Sequence, residues 1–294
     1  MVPSPAVPVA VNIDGALHGR NDARVSVFDH GFLFGEGVYE VLRAYGRRPF
    51  LFAEHMRRLR ASAARIALTC PLSDDQMLER VGETVEAAAL DGDAYVRILL
   101  TRGEGEIVYD PQACPSPTLV VIVKPHVDPP AAALADGVAL SLAEVVRNHP
   151  GSVDPAIKSN NLLNNALAMQ QAYRDGSFEA LMKNHRGELC ECAQSNIFFA
   201  RDGAVLTPPA SAGLLVGVTR MFVLDLVETL GLTARQPVLF EGDLASMQEA
   251  FLTSTTREIV PVVRVGGQDI GDGRPGPVTR RLMAAFTAAV PARL

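Results

Sequence analysis

The chain has 294 residues, 48% apolar and 20% charged, which is ordinary for a globular protein and long enough for two lobes with cores of their own. A formal net charge of −6, with no concentrated basic surface, excludes a nucleic-acid partner. No stretch approaches the ~20 apolar residues that cross a bilayer. Met1-Val2-Pro3-Ser4-Pro5 has neither the basic nor the apolar part of a signal peptide, so no membrane partner and a cytoplasmic location are expected.

Val38 to Tyr45 combines β-branched and aromatic residues and reads as a strand, followed by a turn at Gly46-Arg47-Arg48-Pro49. Residues 53–67 read as a helix, because Met56, Leu59, Ala63 and Ile66 recur at helical spacing. Ser73-Asp74-Asp75-Gln76 is a capping-box pattern and starts a second helix that runs to about Leu90. Tyr95–Leu100 and Thr118–Lys124 are two further strands. Lys124-Pro125-His126-Val127-Asp128-Pro129-Pro130 denies both helix and ladder bonding, so the chain divides there. The expected organisation is a lobe over 1–125, a linker over 126–135 and a larger lobe over 136–294.

The second half alternates strands (137–146, 178–183, 188–192, 196–201, 249–254, 259–265) with helices (160–174, 218–230, 276–288). Asp202-Gly203 and Gly266-Gly267 mark hairpin turns. The class is α+β. Cys70, Cys114, Cys190 and Cys192 are too few and too scattered for a disulfide framework, and Cys190-x-Cys192 lacks the second ligand pair of a zinc site, so no metal is expected. In an alternating strand that pair shares one face as two small packing residues. The basic cluster Arg57, Arg58, Arg60 and Arg65 reads as a solvated helix face, with Arg58 set apart below.

Two segments carry chemistry. Lys158 stands in Ile157-Lys158-Ser159-Asn160-Asn161-Leu162-Leu163, before an Asn-rich helix start. Glu191 stands in Cys190-Glu191-Cys192-Ala193-Gln194-Ser195-Asn196. An amine able to form an imine, with a carboxylate able to hold a pyridinium proton, is what pyridoxal phosphate chemistry requires. The lysine segment resembles the Schiff-base segment of D-amino acid aminotransferases and is similar to the Lys-x-x-Asn segment of branched-chain aminotransferases. From Val11-Asn12 to the helix after Gly276, the chain resembles the class IV, fold-type IV aminotransferases.

That resemblance implies a small N-terminal α/β lobe, a larger C-terminal lobe with mostly antiparallel sheets, and pyridoxal 5'-phosphate as cofactor. It also implies a homodimer whose pockets take residues from the partner lobe, and an amino donor and keto acid acceptor as small-molecule partners. Lys158 inherits the imine and proton-shuttle role, and Glu191 the contact with the ring nitrogen. Glu54-His55-Met56-Arg57-Arg58-Leu59 matches Glu-His-x-x-Arg-Leu, whose arginine grips the phosphate, so Arg58 inherits that role. Gly217-Val218-Thr219-Arg220 opens a helix, where free N–H groups favour an anion, and gives Val218 and Thr219 to the phosphate. The hydroxyl-rich turn with Thr255 and Thr256 is used at the same site, and Leu215 matches the leucine that packs on the ring.

Substrate signals divide. Tyr39 and Val41 resemble the pocket walls of D-amino acid aminotransferases. Where those enzymes carry two arginines and a histidine to hold the carboxylate, this chain has His30, Ile107 and Tyr109. Thr101-Arg102-Gly103-Glu104-Gly105 resembles the corresponding loop of branched-chain-like members. Arg43 either supplies carboxylate charge or is an exposed strand residue. The expected activity is transfer of an amino group between an amino acid, in a D-amino acid-like pocket, or an (R)-amine and a 2-keto acid. Branched-chain L-amino acid transfer is the alternative. Aminodeoxychorismate lyase chemistry is a further alternative, disfavoured because that family places a threonine near Val41 and this chain has none there.

Overall fold

The computed structural model describes residues 8–294, so the first five residues, read above as carrying no leader, lie outside it. The chain forms two compact units. One runs to Val127 and takes in Ile157–Asn161 and Arg293–Leu294; the other comprises Asp128–Ala156 and Leu162–Ala292.

The first unit is a six-stranded antiparallel sheet with helices on one face. Its elements are β1 (Ala10–Ile13), β2 (Ala16–Gly19), α1 (His30–Leu33), β3 (Gly37–Tyr45), β4 (Arg48–Pro49), α2 (Phe52–Arg65), α3 (Asp74–Ala87), β5 (Ala94–Thr101) and β6 (Thr118–Pro125). The strand order is β2-β1-β6-β5-β3-β4. Alternation decides which residues form the core. Val38, Leu42, Val96, Ile98, Val121 and Val123 are buried with Met56 and Leu59 of α2 and Met77 and Val81 of α3. Tyr39, Val41, Arg97 and Leu99 alternate with them along β3 and β5 and are only half-buried. The capping box at α3 is present in full: Ser73 accepts from the Gln76 N–H, and the Gln76 side chain accepts from the Ser73 N–H.

The second unit contains α4 (Ala131–Ala135), β7 (Val138–Leu142), α5 (Leu163–Arg174), β8 (Glu179–Lys183), β9 (Leu189–Cys192), β10 (Asn196–Arg201) and β11 (Ala204–Leu206). It continues with α6 (Val218–Thr229), β12 (Thr233–Arg235), β13 (Glu249–Ser254), β14 (Glu258–Val265), β15 (Gln268–Asp269) and α7 (Pro277–Ala289). Its strands form one sheet in the order β12-β11-β10-β13-β14-β7-β8-β9, with β15 on β14. Antiparallel pairs predominate, and β11–β12, β14–β7 and β7–β8 run parallel. Both glycine turns are hairpins: Asp202-Gly203 joins β10 to β11 with φ of 51° and 75°, and Gly266-Gly267 joins β14 to β15 with 57° and 84°. The fold is α+β, as expected.

Four readings need correction. The proline-rich stretch is not wholly linker, because Ala131–Ala135 is a helix whose Ala133 joins the second unit's core. The second lobe is not continuous, because residues 157–161 pack with the first unit. Lys158 does not abut a helix, since α5 begins at Leu163 and Ser159 instead bridges Val38 of β3. Asn160 sits so close to Gly37 that a Cβ there would strike its side-chain amide, which is why β3 opens on glycine. Cys190 and Cys192 are buried but enter different core clusters, because the β8–β9 register shifts between Leu181 and Lys183.

Candidate active site

Strand β3 and the segment 157–161 build the chemistry of the first unit. The Tyr39 N–H donates to the Lys158 carbonyl at 3.0 Å, and the Asn160 N–H to the Gly37 carbonyl at 2.9 Å. The Lys158 N–H donates to Ser62 Oγ of α2 at 3.2 Å. These bonds fix the lysine backbone on both sides. Lys158 Nζ then lies 4.5 Å from the Tyr39 ring centroid, and Arg97 Cζ lies 4.1 Å from the same centroid. No carboxylate pairs with Lys158 among the described residues, which leaves its amine available for reaction.

Glu40, on the opposite face of β3, is fully buried. It accepts from Arg58 Nε and Nη2 at 2.6 and 2.7 Å and lies 2.7 Å from His55 Nδ1. Burial pushes its carboxyl up, but the charges and hydrogen bonds of Arg58 and His55 outweigh burial and hold it well below the usual carboxylate range. Burial lowers the His55 pKa against the opposing pull of Glu40. His55 Nε2 has no hydrogen-bond partner. Arg58, the expected phosphate residue, is thus a guanidinium oriented by a buried anion.

The expected substrate residues fare differently. Tyr39 and Val41 share one half-buried face of β3. Arg43 is neither exposed nor available, because it is 9% exposed and donates to Asp93 Oδ2 from Nε at 3.1 Å and Nη2 at 2.8 Å. His30 is buried, with Nε2 2.8 Å from the Glu106 carbonyl and Nδ1 3.4 Å from Glu36 Oε2. It anchors the loop that displays Ile107 and Tyr109, which are 60% and 83% exposed.

In the second unit Glu191, on β9, is 5% exposed. Arg147 Nε donates to its Oε1 at 2.9 Å, and the Leu215 N–H and Asn196 Nδ2 donate to its Oε2 at 3.0 and 3.3 Å. The guanidinium offsets the cost of burying that charge. Asn196 Nδ2 also donates to the Leu215 carbonyl at 2.9 Å, so Glu191 and Leu215 are set as one piece. Helix α6 begins at Val218-Thr219 with Gly217 as N-cap and no side-chain cap, leaving its first N–H groups for an anion. Gly217 is required there, since a Cβ would strike Asn196 Oδ1. Thr255 and Thr256 form the turn between β13 and β14, beside a buried Thr253 Oγ1 with no hydrogen-bond partner.

In the second unit an uncapped helix start and a hydroxyl turn suit a phosphate and a buried carboxylate suits a ring nitrogen; in the first unit the oriented Arg58 guanidinium suits an anion. Cys190 and Cys192 take no part, because burial pushes Cys190 up to about 12 and Cys192 well above the usual thiol value. Among the described residues no cluster of three or more His, Cys, Asp or Glu could hold a metal, and no helix is long and apolar enough to cross a membrane.

Sequence reading missed Arg97, Arg147 and Glu40. Period-two alternation placed Arg97 on the face of Tyr95 and Leu99, but only the pairing Val41↔Arg97 brings it to the lysine's neighbourhood.

Residues 37–265 match the family model described as amino-transferase class IV. The chain is 37% identical over 276 residues to a Methanocaldococcus jannaschii protein provisionally named a branched-chain-amino-acid aminotransferase, covering 94% of each chain. It is 33% identical over 281 residues to the D-alanine aminotransferase of Bacillus licheniformis, covering 95% of this chain and 96% of that one. A solved branched-chain amino acid aminotransferase from Escherichia coli superposes with a TM-score of 0.91 at 31% identity, over 96% of this chain and 94% of that one.

Proposed function

The chain belongs to the class IV aminotransferase family and is an aminotransferase, and from that premise we propose that it moves the amino group of an apolar, carboxylate-bearing amino acid to a 2-keto acid with pyridoxal 5'-phosphate as cofactor. The observation that carries this reading is the Tyr39 ring, with Lys158 Nζ on it at 4.5 Å and Arg97 Cζ at 4.1 Å. It sets a reactive amine and a carboxylate-binding cation around one wall.

The proposed roles follow. Lys158 is the reactive amine. Arg58, Val218, Thr219, Thr255 and Thr256 hold the phosphate. Glu191 would face the ring nitrogen and Leu215 would pack on the ring. When bound, the cofactor supplies an electrophilic carbonyl and an electron-withdrawing ring. With the cofactor bound, Lys158 Nζ would take the proton from the substrate Cα and deliver it to the cofactor's carbonyl-derived carbon. The Glu191 carboxylate keeps a proton on the ring nitrogen, and Arg147 keeps that carboxylate in place. Tyr39 and Val41 wall the substrate, and Arg97 holds its carboxylate, a role withdrawn from Arg43.

Branched-chain amino acids are the substrate class we favour. The similar proteins from Methanocaldococcus jannaschii and Escherichia coli carry that name, and Ile107 and Tyr109 bring no charge to a second carboxylate contact. A D-amino acid reading has Tyr39, Val41 and the Bacillus licheniformis relative in its favour. The homodimer is supported by Val27, Phe28 and Phe32 on one segment and Ile107, Val108 and Tyr109 on another, all exposed apolar residues. These segments are bonded together, the His30 N–H donating to the Gly103 carbonyl at 2.9 Å. Four free cysteines accord with a cytoplasmic location.

The test mixes the purified cofactor-loaded enzyme separately with L-leucine, D-alanine and (R)-1-phenylethylamine and follows loss of the cofactor absorbance band. Bleaching by L-leucine is expected, with no bleaching in Lys158→Ala. Bleaching by D-alanine instead establishes the D-type pocket, and bleaching by the (R)-amine alone removes Arg97 from its role.

A further inference from the structure

Glu179 opens β8 and is fully buried, and nothing in the reaction outlined above uses it. Its Oε2 lies 2.8 Å from Arg257 Nη1 and accepts from Ser195 Oγ at 2.9 Å, while its Oε1 accepts from the Gln194 N–H. Each partner lies on a turn with a proposed cofactor role. Ser195 precedes Asn196, whose side chain donates to Glu191. Arg257 follows Thr255 and Thr256, and its Nε donates to Ser254 Oγ at 3.1 Å, so the guanidinium braces its own turn while it binds Glu179. Its Cζ also lies 5.4 Å from the Phe178 ring centroid, which limits its rotation.

Resting on the cofactor reading above, we propose that Glu179 and Arg257 are positioning residues that lock the Thr255-Thr256 phosphate turn to the Ser195-Asn196 turn behind Glu191. One buried carboxylate then sets the spacing between the groups that hold the two ends of the cofactor. A buried charge with three donors has one well-defined arrangement, and a planar guanidinium fork holds carboxylate and hydroxyl at fixed angles where a rotatable ammonium does not. The two turns belong to different strand connections, β9–β10 and β13–β14; the β10–β13 ladder ends at Asn196 opposite Thr253, and the Glu179–Arg257 link ties the turn residues beyond that last rung.

The experiment measures pyridoxal 5'-phosphate affinity of the apo-enzyme, the phosphorus-31 shift of the bound phosphate, and the pH profile of the cofactor band. Wild type is compared with Glu179→Gln, Arg257→Lys and Ser195→Ala. A Kd raised ~10-fold or more in Glu179→Gln and Arg257→Lys, with displaced phosphorus shift and band profile, is the expected result, and Ser195→Ala gives a smaller change in the same direction. A purely structural pair changes unfolding temperature but moves neither spectroscopic signal, and that outcome overturns the proposal. Where Glu179→Gln does not fold, Arg257→Lys and Ser195→Ala decide alone. Wild type that binds no pyridoxal phosphate, or binding indifferent to Lys158→Ala and Thr256→Val, sinks the cofactor reading and the lock with it. Normal wild-type binding with unmoved variants sinks only the lock.

Discussion

Glu40 and Arg58 are joined by two parallel hydrogen bonds, Nε to Oε1 at 2.6 Å and Nη2 to Oε2 at 2.7 Å, inside a unit where Glu40 has no solvent contact. The carboxylate orients the arginine and fixes which part of its fork faces outward. Glu40→Gln leaves the guanidinium short of its counter-charge, so unfolding stability of the apo-enzyme falls by ~3–5 kcal/mol. Pyridoxal phosphate affinity falls with it. Urea unfolding and equilibrium dialysis check both, and unchanged affinity dismisses Arg58 as a phosphate residue.

The same cluster sets an acid limit. His55 has a folded-state pKa below its ordinary 6.5, so below that value the unfolded chain binds a proton that the folded chain refuses. Glu40 behaves alike at lower pH, because its folded value lies below the ordinary 4.5. Stability is therefore full above about pH 6.5 and is lost on acidification, with a slope approaching ~1.4 kcal/mol per pH unit for one proton. Unfolding curves at pH 7.5 and 5.5 test it. His55→Gln is expected to flatten the slope between those values.

Arg97 distinguishes amino acids from bare amines. Replacing it with leucine removes a charge-assisted bond worth ~1.5–3 kcal/mol, so kcat/KM for the amino acid falls ~10–150-fold. The response to (R)-1-phenylethylamine, which carries no carboxylate, stays level. Equal losses for both substrates contradict a carboxylate role.

Gly217→Ala pushes a methyl group onto Asn196 Oδ1, and Asn196 holds both Glu191 and the Leu215 carbonyl. The expected cost to the apo-enzyme is ~1–3 kcal/mol of stability from overpacking. Cofactor affinity drops as well. Differential scanning calorimetry with and without pyridoxal phosphate separates the two effects.

Phe32 is 68% exposed. Phe32→Glu is expected to convert a dimer of the 31.4 kDa chain into monomer, read by light scattering behind size exclusion. Wild type that already elutes as monomer removes the dimer from the proposal.

Local patterns determined much of this molecule. β-branched and aromatic composition located β3, the Ser73–Gln76 box located α3, and Asp202-Gly203 and Gly266-Gly267 located hairpins, because each of these depends on neighbours within a few residues. Family motifs put Lys158, Arg58 and Glu191 on the page without geometry. Tertiary structure decided the rest, because pairing register and ion-pair choice join residues far apart in the chain. It carried residues 157–161 onto β3, gave Arg43 to Asp93 across 50 positions, and placed Arg97 on the Tyr39 ring. It supplied Glu191 with Arg147 from 44 positions away. Buried charges take whichever partner the completed packing brings within reach, and no local spacing encodes that partner.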